Sequence, residues 1–532
     1  MAVLLRIFAG MARIEDVTSD PASVVKTGKQ LYDYQLRAID EIFKRLENHP
    51  ARYNLLYQLP TGGGKTVIFS EIARRYIAMT GKKVLILTHR IELCGQTSAM
   101  LEEFGINNMV INSAVKELPV PNEYMCFVAM VETLNNRLRD KILDLDNIGL
   151  LIIDEAHHNS FGKLLKFYEK GVLLGVTATP LSSNINIRMR DTYDELIIGE
   201  SIRSLVDKGY LARAATWHYQ VGLTSLKIGS NGDYTVSSSE LIYNNLAMQD
   251  KLLNAYREKC LGKKTLIFNN GIATSQYVYG TFLDAGYDIR HLDHKHSARE
   301  RKEILDWFRA KPDAILTSVS ILTTGFDEPT VESIILNRAT RSLTLYLQMI
   351  GRGSRIIPGK SDFTVIDLGN NLNRFGLWDS PIDWEYIFQN PEAYLATILS
   401  DEEIERNYRY EMPEEIRQRF SATAVIDFDI KQEYADTIRA LQRPISVIDR
   451  SLEQHITMCI ENSSGSTEAM ALAGLLKEEI EYRVRQYAHC LHKTTESYVK
   501  WLQEQYKRKL KLALIRHSLG QAGEAGVPYE EQ

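Results

Sequence analysis

The sequence predicts an α/β fold: two tandem parallel-sheet domains followed by a mostly α-helical C-terminal region. Short, strongly apolar runs recur between about residues 30 and 380, and helical patterns such as Ala298–Ala310 separate them. Runs this apolar suit strands that are buried on both faces of a parallel sheet, and the intervening helices complete βα units. Beyond about residue 385 the apolar runs become sparse, which indicates helices.

The apolar runs form two series, one for each predicted domain. The first series is Leu55–Pro60, Lys83–Thr88, Met125–Met130, Leu150–Asp154 and Val172–Ala178. The second is Thr265–Asn270, Ala314–Ser318, Ser333–Asn337 and Phe363–Leu368. We therefore expect a lead-in at 1–29, domains at 30–197 and 246–384, a linker or hairpin insertion at 198–245, a helical accessory region at 385–518 and a tail at 519–532.

Composition places the chain among ordinary globular proteins. Its 532 residues allow about three domains, and 44% hydrophobic with 25% charged residues is typical of a soluble fold. The net charge of −5 argues neither for nor against a polyanionic partner. The five cysteines form no metal or disulfide pattern, which favours buried thiols in a reducing cytoplasm. We expect no membrane helix, because no apolar stretch approaches about 20 residues.

A phosphate-binding loop follows the first apolar run. The strand ends at Leu59, the segment Pro60–Thr66 reads PTGGGKT, and a helical pattern comes next. Glycines let backbone N–H groups surround phosphate oxygens, and the helix N-terminus adds further donors. Lys65 can reach the β- and γ-phosphates of ATP, and the Thr66 hydroxyl can bind Mg²⁺. The expected ATP-binding residues of the loop are Thr61, Gly62, Gly63, Gly64, Lys65 and Thr66.

Two carboxylates and one amide complete the site that we predict in the first domain. Asp154 and Glu155 follow an apolar strand, at the edge of the sheet where such folds bind ligands. We expect Asp154 to hold Mg²⁺ and Glu155 to polarise the attacking water. Gln35 precedes the loop, and its amide offers a donor and an acceptor in one plane, which matches the edge of adenine.

The ordered motifs resemble those of superfamily 2 helicases of the DEAD/DEAH-like group. They are most similar to the type III restriction, transcription-repair and phage branch-migration helicases. The resemblance covers about residues 30–375 and rests on Gln35, Gly62–Thr66 (GGGKT), Leu87–Arg90 (LTHR), Asp154–His158 (DEAHH), Thr177–Pro180 (TATP), Thr323–Pro329 (TTGFDEP) and Gln348–Arg355 (QMIGRGSR).

The resemblance implies two RecA-like domains with an ATP site split between them. Lys65 and Glu155 from the first domain and Arg352 and Arg355 from the second would be catalytic, and Asp327 would lie near the ribose. The coupling of hydrolysis to movement is implied for Thr177, Thr179 and Gln348. Contacts with a nucleic-acid strand are implied for Thr88, His89, Arg90, Thr133, Thr323 and Thr324. His157-His158 and Gln348 depart from the strict RNA-helicase pattern and favour DNA.

The predicted activity is ATP- and Mg²⁺-dependent movement on nucleic acid, with single-stranded or branched DNA favoured. A duplex translocase within a restriction complex and an ATP-switched nucleic-acid-binding scaffold are the alternatives.

The Asn231-Gly232 turn signal fits a plain linker or a hairpin that probes the strand. Between Glu481 and Arg516, interleaved basic and aromatic residues fit a nucleic-acid track, an amphipathic helix with solvated lysines or a surface for a protein partner.

Overall fold

The computed structural model describes residues 30–48, 53–112, 123–139, 148–158, 161, 168, 171–184, 187–319, 322, 325–407, 410–440, 442–491 and 496–524. Two compact units divide the chain after Asp401. The first unit holds two parallel sheets, and the second consists of helices. The predicted fold class is therefore confirmed. In the described part of the chain, no helix has both the length and the apolar character needed to cross a membrane.

The first sheet has seven strands in the order β3-β4-β2-β5-β6-β1-β7, all parallel. The strands are β1 (Asn54–Gln58), β2 (Lys83–Thr88), β3 (Asn108–Ile111), β4 (Cys126–Met130), β5 (Ile148–Asp154), β6 (Val172–Thr177) and β7 (Glu195–Ile198). The associated helices are α1 (Asp33–Asn48), α2 (Lys65–Thr80), α3 (Ile91–Glu103), α4 (Val131–Arg139) and α5 (Ile202–Asp207). Because β5, β6 and β1 are neighbours, their carboxyl ends meet at one place on the sheet edge.

The second sheet has six parallel strands in the order β10-β11-β9-β12-β13-β8. They are β8 (Arg213–His218), β9 (Thr265–Asn269), β10 (Ile289–Leu292), β11 (Ile315–Ser318), β12 (Ser333–Asn337) and β13 (Asp362–Asp367). The helices are α6 (Val236–Tyr243), α7 (Leu246–Lys259), α8 (Ile272–Asp284), α9 (Ala298–Ala310), α10 (Leu343–Gly351), α11 (Asn371–Phe375), α12 (Trp384–Gln389) and α13 (Pro391–Ala396).

The segment expected to be a linker, residues 198–245, is largely part of the second domain. Its strand β8 pairs with β13 from Arg213 to His218. Its turn is fixed to the same domain, because the Asp233 carboxylate accepts hydrogen bonds from Thr340 Oγ1 (2.8 Å) and Arg341 N (2.7 Å). One antiparallel bridge joins Ile228 to Tyr234, so the hairpin is minimal. The sequence missed this assignment because β8 alternates between exposed and half-buried residues and lacks a continuous apolar run.

The second unit packs its helices around one apolar core that includes Phe420, Leu472 and Leu502. Beyond α14 (Asp401–Asn407) its helices are α15 (Glu414–Arg417), α16 (Ile430–Arg439), α17 (Ser446–Glu461), α18 (Ser466–Leu475), α19 (Lys477–Cys490) and α20 (Glu496–Glu524). The helix α20 continues past residue 518, where the sequence analysis placed the start of a tail. The predicted lead-in at 1–29 lies outside the described residues.

Candidate ATP site between two domains

The loop after β1 has the shape that phosphate binding requires. Gly62 and Gly64 have φ values of 93° and 83°, which residues with a Cβ rarely adopt. The Gly63 N–H donates to Pro60 O at 3.0 Å and closes the turn. Lys65 begins α2, and among the described residues its Nζ reaches the carbonyl of Leu59 alone, at 3.4 Å. The ammonium therefore points across a curled backbone at the N-terminus of a helix, where phosphate oxygens bind.

Side chains of α1 and of the chain preceding it hold this loop from one side. The Tyr34 hydroxyl donates to Gly63 O at 2.7 Å. A Cβ built on Gly64 would lie 2.6 Å from Gln35 Nε2, so the predicted adenine-binding amide does lie against the loop. Gln35 Oε1 accepts a hydrogen bond from Tyr32 N at 3.0 Å. The ring of Tyr210 packs on Tyr32 and Tyr34 with centroid distances of 4.5 and 5.1 Å, which adds an aromatic surface beside the amide.

The two adjacent acids differ in environment although they are neighbours in sequence. Burial and the charge of Glu155 raise the pKa of Asp154 to about 7. Burial acts to raise the pKa of Glu155, but the positively charged and histidine side chains around it, Lys65 first among them, together outweigh burial and hold that pKa below its usual value. Glu155 has a φ of 50°, an uncommon conformation for a residue with a side chain. Its carboxylate lies near enough to Lys65 of the loop for that charge to lower its pKa.

The donor set of this site fits a divalent hard cation. The Asp154 carboxylate is buried and accepts the Glu155 N–H at 2.9 Å. Among the described residues, buried Glu155 Oε2 has no hydrogen-bond partner. Buried carboxylate oxygens without sufficient donors are suited to a cation or its bound water, and Mg²⁺ prefers oxygen ligands. Asp154 and the half-buried Thr66 would hold such an ion, which would neutralise charge on the phosphates.

A chain of hydrogen bonds runs from His157, which lies beside Glu155, to the second domain. His157 Nδ1 lies 3.4 Å from Glu155 Oε2 and 3.0 Å from Thr177 Oγ1. The Thr177 hydroxyl donates to Thr179 O at 2.9 Å, so it can only accept from His157, whose Nδ1 must carry the proton. Burial lowers the pKa of His157 to about 3, so the ring is neutral. Thr179 Oγ1 then meets Thr344 Oγ1 of α10 at 2.8 Å.

Two arginines after α10 approach the phosphate loop from the second domain. A Cβ built on Gly62 would lie 2.6 Å from Arg355 Nη1, so the guanidinium is in contact with the loop backbone. Arg355 Nε donates to Asp327 Oδ1 at 2.8 Å, and Arg352 Nη1 donates to Phe326 O. Burial lowers the pKa of Arg352 to about 10, so it remains charged at neutral pH. The structure thus brings all four predicted catalytic residues into one cleft.

The residues predicted to couple hydrolysis to movement are buried, whereas the predicted strand contacts that the structure describes differ in exposure. Thr177, Thr179 and Gln348 are buried, and Gln348 Nε2 has no hydrogen-bond partner among the described residues. Thr133 is half-buried near the start of α4. Thr323 and Thr324 lie outside the described residues.

The motif after β2 requires a correction. Thr88 is fully buried, and its hydroxyl bonds to Arg90 O (3.2 Å) and Cys94 Sγ (3.0 Å), so this side chain cannot reach a strand's phosphates. His89 packs against His158 with a centroid distance of 4.6 Å, and burial lowers its pKa to about 4. Arg90 lines a pocket between the two domains together with Arg301 of the second domain. Of the three predicted contacts, Arg90 fits a phosphate best.

Sequence reasoning missed three residues that shape the site. Thr344 carries the hydrogen-bond chain into the second domain, and Tyr210 extends the aromatic surface beside Gln35. Buried Lys360 Nζ donates to Gly353 O (2.7 Å), Arg355 O (2.9 Å) and Pro329 O (2.9 Å), which fixes the loop that carries Arg355. No motif signals these positions, because Thr344 and Tyr210 act through contacts between segments distant in sequence and Lys360 binds backbone carbonyls.

The C-terminal basic and aromatic residues divide between the core of the unit and its surface. Tyr487 and Arg483 are buried, and Tyr506 Oη bonds to His455 Nδ1 at 2.8 Å and to Ser451 Oγ at 3.0 Å. Trp501 is exposed by 52% and stacks on Tyr498. The lysines and arginines of α20 are largely at the surface. The amphipathic-helix interpretation therefore accounts for α19 and for the buried face of α20.

Two family models match the chain over the domains that form this cleft. Residues 28–182 match the model of the type III restriction enzyme res subunit, and residues 246–357 match the helicase conserved C-terminal domain. The chain belongs to the superfamily 2 helicases of the restriction-like group. It is accordingly an ATP-hydrolysing enzyme, and its motifs place it with nucleic-acid motors.

Relatives of this superfamily 2 helicase align over similar shares of the chain. The 51.5 kDa protein of a Lactococcus phage is 29% identical over 342 residues, 63% of this chain and 70% of that protein. IRC3 of Saccharomyces cerevisiae, named as a candidate ATP-dependent helicase, is 29% identical over 63% of this chain and 51% of its own length. A candidate HsdR fragment of a Vibrio vulnificus type I restriction enzyme shares the fold, with a TM-score of 0.52, 21% identity and coverage of 66% and 67% of the two chains.

Proposed function

We propose that this helicase is a Mg²⁺-dependent DNA translocase that separates strands or remodels branched junctions. Lys65 and Arg355 would contact the β- and γ-phosphates from opposite sides, and Glu155 would position the attacking water. ATP binding would close the cleft between the domains and hydrolysis would reopen it, so that the protein steps along one strand.

The contact of Arg355 with Gly62 carries this proposal. A guanidinium that is held against the phosphate loop by a second domain can stabilise charge that develops on the transferred phosphoryl group. It can do so only while the two domains are together. Turnover therefore becomes conditional on domain closure, which is what a motor requires and a simple nucleotide-binding scaffold does not.

The preference for DNA rests on sequence and on relatives. His157 and Gln348 depart from the strict RNA-helicase pattern. One aligned relative is named as an endonuclease subunit of the EcoAI type I restriction enzyme, with 24% identity over 64% of this chain and 46% of that subunit. The alignment spans less than half of that subunit, so its whole activity is not transferred to this chain.

The test is an ATPase assay with single-stranded, duplex, forked and four-way DNA and with RNA, in parallel with strand displacement. We expect forked or four-way DNA to stimulate turnover most, and displacement to require ATP and Mg²⁺. Lys65→Ala should abolish both signals, whereas Lys82→Ala, at an exposed position just after α2, should leave both unchanged. Equal stimulation by RNA would contradict the DNA preference, and stimulation without displacement would contradict strand separation.

The second candidate is a translocase that moves on duplex DNA without unwinding it, favoured by the restriction-enzyme family model. Displacement of a triplex-forming third strand from intact duplex separates the two activities. Triplex displacement without fork unwinding would establish this candidate in place of the first.

A further inference from the structure

The loop between β10 and α9 gathers two histidines and an aspartate. His291 lies in β10, and Asp293 and His296 follow it before α9 begins at Ala298. One ligand atom from each of the three side chains lies within 4.8 Å of the others. Asp293 is buried, and His291 and His296 are half-buried. This cluster belongs to the second domain, whereas Thr66 and Asp154 belong to the first.

The hydrogen bonds inside the cluster conflict with one another. Asp293 N donates to His296 Nδ1 at 3.2 Å, which uses that nitrogen as an acceptor. The same Nδ1 lies 3.0 Å from Asp293 Oδ1, and an ionised carboxylate oxygen can accept a hydrogen bond but cannot donate one. In the tautomer in which Nδ1 accepts from Asp293 N, two lone pairs therefore face each other beside the buried Asp293 carboxylate. A bound cation would turn this repulsion into two attractive contacts.

The environment of His291 has the pattern found around metal-binding histidines. His291 Nδ1 lies 2.8 Å from Ser275 Oγ, which in turn lies 3.0 Å from Thr317 Oγ1. With Nδ1 anchored by a hydroxyl on one side of the ring, Nε2 faces Asp293 Oδ2 at 3.1 Å on the other. Metal-ligating imidazoles are oriented in this way by a hydrogen bond on the non-ligating nitrogen.

We propose that His291, Asp293 and His296 bind a divalent transition-metal ion, with zinc as the best match. Two imidazole nitrogens and one carboxylate oxygen form a ligand set that suits zinc. Mg²⁺ and Ca²⁺ prefer oxygen ligands throughout and fit poorly. Three protein ligands leave the fourth tetrahedral position to water.

The ion would fix the connection between β10 and α9. That connection positions α9, whose Arg301 forms an ion pair with Glu92 of the first domain. Metal binding should therefore stabilise the folded chain and keep this contact between the domains in place. The role is structural and is separate from the ATP site.

The test uses the full chain, stripped of metal with a chelator and kept free of nucleotide. Zn²⁺ is titrated in competition with a chromogenic chelator, and Co²⁺ binding is followed by its visible absorption. We expect one equivalent of each metal to bind and the melting temperature to rise with Zn²⁺. Asp293→Asn and His296→Gln should each weaken binding by about 10–100-fold or more, because second-shell losses alone reach that range.

His294→Gln is the matched control, since His294 is an exposed histidine in the same loop. It should retain wild-type affinity and the wild-type cobalt spectrum. The His296 side chain is 25% exposed, so His296→Gln should leave the fold intact. Circular dichroism and the ATPase rate of the variant check this. The proposal is overturned if the wild type binds less than one equivalent, or if His296→Gln binds as tightly as the wild type.

Discussion

The ATP cleft and the C-terminal unit differ in how many protein partners their charged side chains have. Arg483 in the C-terminal unit donates to Ser451 Oγ (3.1 Å), Gln454 Oε1 (2.7 Å) and Ile426 O (3.2 Å) and pairs with Glu479. In the cleft, Lys65 Nζ reaches one backbone carbonyl at 3.4 Å, and Glu155 Oε2 has no partner among the described residues.

For the two cations, this difference distinguishes Arg483, which maintains the fold, from Lys65, which awaits a ligand; an unpaired carboxylate oxygen does not make this distinction, because Glu479 Oε2 also has no hydrogen-bond partner among the described residues. A buried arginine with four partners is held by the protein alone, and its removal affects stability. A buried acid without sufficient donors lowers stability until a ligand or ion supplies the missing contact. The comparison therefore predicts that cleft substitutions change turnover, whereas substitutions at Arg483 change the free energy of unfolding.

The largest effect is expected for Arg355→Ala. Turnover should fall by about 10³-fold or more, the range of arginine fingers, because the charge in contact with Gly62 is removed. Arg355→Lys should recover little, since an ammonium lacks the planar fork. The steady-state ATPase rate with saturating DNA measures the turnover of both variants. Arg203→Ala is the control, because it removes a surface ion pair with Asp379. If it lowers turnover as much as Arg355→Ala does, the effect of Arg355→Ala comes from weaker docking of the domains.

Arg483→Met is expected to act on stability alone. It leaves Glu479 buried without its cation, which costs about 3–5 kcal/mol when one partner of a buried pair is removed. Urea unfolding of the C-terminal unit, followed by tyrosine and tryptophan fluorescence, measures the change. Lys509→Ala, which breaks an ion pair with Asp449 in which both side chains are about half exposed, should cost at most about 1 kcal/mol. Equal costs for the two variants would refute the structural role of Arg483.

Thr344→Val tests whether the hydrogen-bond chain couples the two domains. Loss of the hydroxyl leaves buried Thr179 Oγ1 unpaired, at a cost of about 1–3 kcal/mol. We expect DNA-stimulated turnover to fall by about 10-fold while ATPase without DNA changes little. Thr344→Ser keeps the hydroxyl and should behave as the wild type. If valine and serine variants are indistinguishable, the contact plays no part in coupling.

A smaller effect is expected from pH. The pKa of Asp154 is about 7, and a carboxyl must lose its proton to bind a metal. The Mg²⁺ concentration for half-maximal binding of a fluorescent ATP analogue should therefore rise about tenfold per unit as pH falls below 7, and level off above it. Glu155→Gln removes a charge that raises this pKa, so its inflection should move to lower pH. An unchanged inflection would show that Asp154 is not the titrating ligand.

The sequence revealed the interior of both sheets but not their edges. All nine predicted strands are present, and the four it missed, β3, β7, β8 and β10, are the four edge strands. Edge strands bury less surface, so their sequences mix polar and apolar residues. In the site, Lys65 and Glu155 stand in local motifs and were recognisable. Thr344 and Tyr210 act through contacts between distant segments, and Lys360 acts through hydrogen bonds to backbone carbonyls; no local sequence pattern records either kind of contact.

The central claim is that both domains contact the same nucleotide at the transition state. The most direct measurement compares the affinity for ADP with that for ADP and aluminium fluoride, a transition-state analogue, in the wild type and Arg355→Ala. The wild type should bind the analogue at least about 100-fold more tightly than ADP. Arg355→Ala should keep the ADP affinity and lose most of that gain. If the variant retains the full gain, Arg355 does not contact the transferred group and the shared site is refuted.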